Sequence, residues 1–393
     1  MRRMTVPLFL LGLAFLALAP ATAQAKVLVR WAQFTAAGSV EERFLTDAIT
    51  CPAGMAERAE PNEAFPVRVC DEEGEAPAKL DRIIVIGDTG CRIKDMRAQA
   101  CNDPRQWPFA EIARRAAAEK PDLVIHVGDY HYRESPCPDD DDGCTGSPAG
   151  STWKVWDADF FTPARPLLDA APWIFVRGNH EECARAGEGW SRFIAPYAFG
   201  PAPCAEHEAA YALRIGGTNF FVMDAAIPSD REVDDKIAAI YKPEFESLAK
   251  LAASGPTWLL IHKPLWSVYA VKDGKVIGQS PTLDAAAGGH LPSALKLAVS
   301  GHVHTFEALE FNAPEPPQLV VGNGGTALDR PLPVDLSGLL VGTQKIAHGL
   351  RDNGFGYFVF DRTANGWAGR LVDPDGKVTA HCTLDAAGLA CKA

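Results

Sequence analysis

Residues 82–90 have the sequence Arg-Ile-Ile-Val-Ile-Gly-Asp-Thr-Gly, in which an apolar, β-branched run stops abruptly at a glycine and an aspartate. Such a short run with turn residues after it is typical of a buried strand. The same pattern recurs at residues 122–129, where the run ends in Gly128–Asp129. A third run, at residues 173–176, is soon followed by Gly178–Asn179–His180–Glu181. These runs predict buried strands, each followed by polar side chains at its carboxyl end.

Three later runs follow the same pattern. Residues 219–223 end at Asp224, residues 258–261 end at His262, and residues 298–300 end at Gly301–His302. Between the strands lie helical patterns such as the Ala/Arg-rich segment 111–119. Strands that alternate with helices predict an α/β fold, and open α/β sheets bind ligands beyond the carboxyl ends of their strands.

The N-terminus has the features of a secretory signal. Arg2 and Arg3 precede an uncharged apolar run at 6–20, and Ala23–Gln24–Ala25 forms a small–x–small cleavage site before Lys26. The apolar run is shorter than the roughly 20 residues that span a bilayer, although an uncleaved anchor is the alternative. We therefore predict a signal peptide at 1–25, a small N-terminal β region at 26–80 and the main domain at 81–393, in a periplasmic or secreted protein.

The chain is acidic, with 50 Asp and Glu residues against 38 Lys and Arg residues and a net charge of −12. Removal of the signal, with its two arginines, brings the net charge to about −14 (−12 minus 2). This balance argues against binding to nucleic acid and to anionic membranes. A small anionic substrate would need local positive charge, which bound metal ions can supply.

All ten cysteines follow the predicted cleavage site, and an even number in an exported chain indicates disulfides. Their spacing forms five local couples, so the simplest connectivity is sequential, although the sequence alone leaves other pairings open. The predicted disulfides are Cys51–Cys70, Cys91–Cys101, Cys137–Cys144, Cys183–Cys204 and Cys382–Cys391.

Five polar segments at the ends of predicted strands supply potential metal ligands. They contain Asp88; Asp129 with Tyr132; Asn179 with His180; His262; and His302 with His304. Taken singly, each has a simpler explanation, such as a turn aspartate or a buried core histidine. Together and in this order they favour a metal site, and oxygen ligands mixed with imidazoles suit iron, zinc or manganese.

Over residues 82–311 the chain resembles the metallophosphoesterase, or calcineurin-like phosphoesterase, superfamily. Its purple acid phosphatase branch is the more similar, because Gly90 stands where the wider superfamily has a histidine in Asp-x-His. Tyr132 occupies the tyrosine position of that branch's Gly-Asp-x-x-Tyr motif. The resemblance implies a two-sheet αββα sandwich with the metal site at strand ends along one edge.

The resemblance also implies residue roles. Fe(III) would be held by Asp88, Tyr132 and His304, and a divalent ion (iron, zinc or manganese) by Asn179, His262 and His302. Asp129 would bridge the two ions, and His180 would be the catalytic residue that donates to the phosphate or to the leaving group. Candidate substrate-binding residues are Asn179, His180, His131 and Tyr130.

The implied activity is hydrolysis of a small phosphomonoester by attack of a metal-bound hydroxide on phosphorus. A phosphodiesterase that uses the same metals is one alternative. A non-catalytic export protein that binds a partner or iron is another, although it would not need His180. Plant members carry further histidines after the residue matched by His262, whereas residues 263–269 contain none and His290 is the nearest candidate.

Overall fold

The computed structural model of the 393-residue chain describes residues 27–272 and 275–393. The predicted signal peptide at 1–25 lies outside the described residues. Within the described ranges, none of the helices combines the length and the apolar character needed to cross a bilayer.

The strands of the described residues are numbered here in chain order. They are β1 (Val27–Phe34), β2 (Val40–Thr46), β3 (Ala56–Ala59), β4 (Arg68–Glu73), β5 (Arg82–Ile86), β6 (Ile93–Lys94), β7 (Arg97–Ala98), β8 (Leu123–His126), β9 (Trp173–Phe175), β10 (Tyr211–Ile215), β11 (Thr218–Met223), β12 (Thr257–Ile261), β13 (Trp266–Lys272), β14 (Lys275–Gln279), β15 (Leu297–Ser300), β16 (Phe306–Phe311), β17 (Gln318–Val321), β18 (Leu340–Val341), β19 (Gln344–Asp352), β20 (Tyr357–Thr363), β21 (Gly366–Val372), β22 (Val378–Asp385) and β23 (Gly388–Lys392).

The α-helices are α1 (Phe109–Ala118), α2 (Trp153–Trp156), α3 (Thr162–Leu168), α4 (Gly187–Phe193), α5 (Asp235–Ser254) and α6 (Pro281–Ala287). A π-helical turn at Asp157–Phe161 joins α2 to α3, and a 3₁₀ turn covers Asn179–Glu181.

Two large sheets form the frame of the molecule. The first has eleven strands in the order β23–β22–β21–β20–β5–β8–β9–β1–β2–β4–β3, and the second has eight in the order β10–β11–β12–β15–β17–β16–β19–β18. At the centre of the first sheet β5, β8 and β9 run parallel, and in the second β11, β12, β15 and β17 do so. Each sheet therefore has an edge where the carboxyl ends of parallel strands meet.

The sheets pack face to face through an apolar core to which both contribute. Ile83 and Ile125 of the first sheet and Trp258 and Val299 of the second belong to this core, and all are nearly inaccessible to solvent. A second core lies under α1, α3 and α4 on the outer face of the first sheet, and a third lies under α5 and α6 on the outer face of the second. The predicted two-sheet αββα architecture is confirmed.

The N-terminal region continues the first sheet. β1 pairs in parallel with β9 through Gln33 and Trp173, and β2, β4 and β3 follow outwards as antiparallel strands. Trp31 and Val69 join the core under α1, α3 and α4, whereas Phe34 and Val40 join the core between the sheets. Residues 27–73 thus pack as an extension of the large sheet.

Five disulfides join the pairs expected from the cysteine spacing: Cys51–Cys70, Cys91–Cys101, Cys137–Cys144, Cys183–Cys204 and Cys382–Cys391. Each closes a loop of 7 to 21 residues, and the described residues contain no free cysteine. Each such bridge typically stabilises a fold by about 2–4 kcal/mol.

Candidate metal centre

Asp88 and Asp129 follow two neighbouring parallel strands, β5 and β8, and therefore lie side by side. The Asp88 N–H donates to the Gly128 carbonyl at 3.0 Å, and the Thr89 N–H donates to the Asp129 carbonyl at 3.1 Å. Both aspartates adopt left-handed backbone conformations, with φ of 55° and 59°. Few residues other than glycine adopt this conformation, and it concentrates at functional sites where the surrounding structure holds it.

The second sheet supplies the histidines from the opposite side. His262 follows β12 and His302 follows β15, and His302 also has a positive φ of 69°. Its N–H donates to Asp88 Oδ2 at 3.0 Å, which ties the two sheets together at the site. Gly128 permits this approach, because a Cβ there would lie 2.4 Å from His262 Nδ1.

The first ligand group comprises Asp88, Asp129, Tyr132 and His304. The Tyr132 hydroxyl lies 3.0 Å from Asp88 Oδ1, 2.9 Å from Asp129 Oδ2 and 2.9 Å from His304 Nε2. The hydroxyl has one proton to donate, yet three potential acceptors surround it. Donor atoms that converge in this way are better satisfied by a cation than by a single proton, so the residues fit a metal ion.

The second ligand group comprises Asp129, Asn179, His262 and His302. His262 Nε2 lies 3.1 Å from Asn179 Oδ1 and 3.2 Å from Asp129 Oδ2. One ligand atom each from Asp129, His262 and His302 falls within a sphere suited to a metal ion, and the same holds for Asp88, Asp129 and His304. Asp129 belongs to both groups, which is the position of a bridging ligand.

The electrostatics of the two carboxylates also favour a cation. Burial, followed by the charge of Asp129, raises the pKa of Asp88 well above its usual range. Burial acts in the same direction on Asp129, but His262 and His180 outweigh it and hold the pKa of Asp129 well below its usual range. Two carboxylates in one buried site repel each other, and positive charge between them removes that repulsion.

These observations agree with comparisons to known proteins. The family model for calcineurin-like phosphoesterases matches residues 81–306, which is more than half of the chain. The chain belongs to the calcineurin-like phosphoesterase family. This is a family of metal-dependent enzymes, and the five ligand-bearing segments all lie within the matched residues. No match was found among curated proteins.

Two solved structures share the fold of this chain. A purple acid phosphatase, PPD1, from yellow lupin (Lupinus luteus) seeds is 14% identical with a TM-score of 0.51, and the alignment covers 86% of this chain and 58% of that one. The protein PhoD is 13% identical with a TM-score of 0.52, and the alignment covers 90% of this chain and 77% of that one. The chain thus spans little more than half the length of the lupin phosphatase.

A cavity of about 440 Å³ opens over the two ligand groups. The wall of this cavity contains Asn179, His180, His302 and His304, together with Asp129. His302 is held from outside the ligand groups, because its Nε2 lies 3.0 Å from Asp230 Oδ2. Burial would raise the pKa of Asp230, but the hydrogen bond and charge of His302 lower it to about 2.

His180 lies beside the bridging aspartate and faces the cavity. Its backbone N–H donates to Asp129 Oδ1 at 2.9 Å, and its ring Nε2 is 3.8 Å from Asp129 Oδ2. On the other side of the ring, Nδ1 lies 2.9 Å from Glu134 Oε1 and 2.9 Å from the His131 carbonyl. Arg185 pairs with Glu134 in turn. Burial lowers the pKa of His180, against the influence of Asp129 and Glu134.

Glu181 organises the loop that carries the bridging ligand, a role that the sequence did not reveal. Its buried carboxylate accepts hydrogen bonds from the N–H groups of Asp129, Tyr130, His131 and Gly178, at 2.9 to 3.2 Å. Burial and the charge of Asp129 raise the pKa of Glu181 to about 8. Its position directly after His180 was the available signal, although adjacency does not show where the side chain points.

Tyr130 and His131 do not reach the cavity, contrary to the prediction that they bind substrate. The Tyr130 ring is fully buried, and its hydroxyl donates to the Val176 carbonyl at 2.8 Å. His131 is also buried, and its Nε2 lies 3.0 Å from the Gly150 carbonyl. Both side chains are part of the protein interior. His290 pairs with Glu315 and is not among the residues that line the cavity.

Proposed function

We propose that this protein is an exported two-metal phosphatase that hydrolyses phosphomonoesters. The observation that carries the proposal is the pair of ligand groups that share Asp129 beneath a cavity lined by His180. Two sets of oxygen and nitrogen ligands that share a carboxylate would hold two cations side by side beneath the cavity. That arrangement serves displacement at phosphorus.

The donor sets differ in a way that suggests the metals. Asp88, Tyr132 and His304 include a phenol, whose anion is stabilised by a strongly acidic ion such as Fe(III). Asn179, His262 and His302 offer neutral donors that suit a divalent ion such as iron, zinc or manganese. When bound, the two ions would neutralise the phosphoryl charge and lower the pKa of a water molecule so that it becomes a nucleophile.

The chain's own residues would orient the substrate and handle protons. Asn179 and His180 lie on the same cavity wall, so both can donate to phosphoryl oxygens. The imidazole of His180 is held on one side by Glu134 and the His131 carbonyl, which leaves Nε2 for the substrate. In the imidazolium form, which Asp129 and Glu134 favour against burial, the Nε2 proton would pass to the leaving-group oxygen as its bond to phosphorus breaks and leave a neutral imidazole.

Export is supported by the disulfides and by the leader-like N-terminal sequence. Five disulfides in one chain are typical of an oxidising compartment. The basic start, apolar run and Ala23–Gln24–Ala25 site have the order of a secretory signal. The proposed site of action is the periplasm or the extracellular medium.

The test uses the full chain, produced in an oxidising compartment, with 4-nitrophenyl phosphate and bis(4-nitrophenyl) phosphate as substrates. We expect the monoester to be hydrolysed faster, and His180→Ala to lower kcat by about 10²–10⁴-fold, the usual contribution of general acid–base catalysis. The metal content of that variant, measured by elemental mass spectrometry, should stay unchanged.

His348→Ala is the matched control, because His348 is exposed and far from the cavity lining. It should keep full activity. Faster hydrolysis of the diester would replace the proposal with a phosphodiesterase. Metal binding without hydrolysis of either compound would instead indicate a binding protein.

A further inference from the structure

Four arginines of the described ranges differ from all the others. Arg92, Arg97, Arg231 and Arg330 have no side-chain hydrogen bond and no ion pair within residues 27–272 and 275–393. Every other arginine there has at least one such partner. Arg92 is half-buried and the other three are exposed, so no partner within the described residues neutralises their charges.

All four line one continuous region at the catalytic cavity. Arg92 and Arg231 lie in the wall of the cavity over the ligand groups. Arg92 also lies in the wall of a second cavity of about 650 Å³, together with Arg97 and Arg330. The two cavities share Arg92, Tyr269 and Asp329, so they adjoin. Both volumes fall in the range of roughly 300–1,000 Å³ that is usual for small-molecule sites.

The acidic neighbours of these arginines are engaged elsewhere. Asp329 Oδ2 accepts the N–H of His304 at 2.9 Å, and Asp230 Oδ2 lies 3.0 Å from His302 Nε2. Each aspartate directly precedes one of the unpaired arginines in the chain, yet each bonds to a histidine of the ligand groups. The second cavity therefore has three guanidinium groups and one carboxylate in its wall, which gives it a net positive charge.

The loop that carries Arg92 and Arg97 is held in place. The disulfide Cys91–Cys101 closes it, and the β6–β7 hairpin lies within it. The backbone N–H of Arg92 donates to Gln99 Oε1 at 3.0 Å, and Gln99 Nε2 donates to the Gly325 carbonyl at 2.9 Å. Guanidinium groups on a fixed frame are suited to bind phosphate through paired hydrogen bonds.

The geometry points to a second anion subsite, formed by Arg92, Arg97 and Arg330, for substrates that carry a further phosphate on the leaving group. This inference rests on the proposed function. One phosphate would occupy the catalytic cavity, where Arg231 adds positive charge. The body of the leaving group would pass Tyr269, which borders both cavities, and the other phosphate would meet the three arginines.

The experiment compares glucose 1,6-bisphosphate with glucose 6-phosphate through initial rates of phosphate release. The wild-type protein should show a kcat/KM at least about tenfold higher for the bisphosphate, since charge-assisted hydrogen bonds to a second phosphate add to binding. In the double variant Arg97→Gln/Arg330→Gln, the ratio of the two kcat/KM values should fall about tenfold. Added salt should lower the wild-type ratio as well.

Arg114→Gln is the matched control, because Arg114 lies on the exposed face of α1 and pairs with Glu111. Its ratio should equal that of the wild type. Equal kcat/KM values of the wild-type protein for the two substrates would overturn the subsite. So would a double variant in which the ratio of the two kcat/KM values is unchanged. Failure of the wild-type protein to release phosphate from any ester would instead refute the proposed function, so the two failures are distinct.

Discussion

The two ligand groups of the metal centre share Asp129 but differ in their access to solvent. Asp88, Tyr132 and His304 have relative exposures of 0%, 1% and 8%, and of these three His304 alone lines the cavity. In the other group His262 is fully buried, but the side chain of His302 is 23% exposed and Asn179 is half-buried at the wall of the cavity. The first group is therefore the more enclosed and is named the internal group, and the second is named the open group.

This difference indicates a division of labour. An ion held by the internal group would be less accessible from the cavity than an ion in the open group, so we expect it to exchange more slowly. Tyr132 belongs to the internal group, so the ion that gives a tyrosinate colour would be the one that exchanges slowly. The identity of the second metal would then depend on supply as well as on ligand preference.

The most disruptive test removes the ligand that the groups share. Asp129→Ala should empty both positions and lower kcat by about 1,000-fold or more, because both cations lose a charged ligand and the phosphoryl charge is no longer neutralised. Elemental analysis and hydrolysis of 4-nitrophenyl phosphate measure the two effects. Asp169→Ala, at the exposed end of α3, is the control. Two full metal equivalents in Asp129→Ala would refute the bridging role.

The next test separates the groups. Tyr132→Phe removes the phenol from the internal group and leaves Asn179, His262 and His302 intact. We expect visible absorption to disappear and iron content to fall, while the divalent ion is retained and kcat drops about 10–100-fold. Tyr357→Phe is the control, since the Tyr357 hydroxyl lies 3.5 Å from Glu119 Oε1 and is not part of either ligand group. Colour that persists in Tyr132→Phe would assign it to another residue.

The smallest expected effect concerns the open group. Asp230 positions His302 through the hydrogen bond to Nε2, so Asp230→Asn should weaken binding of the divalent ion about tenfold. Activity measured against metal concentration should recover fully when the ion is in excess, a recovery that general misfolding would not allow. Asp235→Asn, in the first turn of α5, is the control. Activity that stays low at saturating metal would contradict the positioning role.

Much of this site could be predicted from sequence because its ligands follow strands of unambiguous composition. Runs such as residues 82–86 become buried strands because β-branched side chains fill a sheet with both faces covered. Parallel strands then bring their carboxyl ends together, which gathers Asp88, Asp129, His262 and His302 at one edge of the two sheets. The N-terminal strands were also recognised, but their pairing with β9 joins residues about 140 positions apart and has no local signal.

The direction in which the side chains of the site point could not be predicted from the sequence. After His126 the chain leaves β8, so alternation no longer tells which residues face the cavity. Tyr130 and His131 turn into the interior, whereas Tyr132 turns to the ligands. The hydrogen bonds of Glu181 and the contact of Glu134 with His180 likewise depend on packing between distant segments.

The left-handed backbone of Asp88, Asp129 and His302 affects the stability of the fold separately from its effect on the metal site. A non-glycine residue in this conformation is destabilised by roughly 1–2 kcal/mol, whereas glycine adopts it freely. A variant with glycine at one of these positions would lose a ligand, yet it should unfold at a higher temperature than the corresponding alanine variant. The relief of backbone strain by glycine would therefore offset part of the stability that is lost with the ligand.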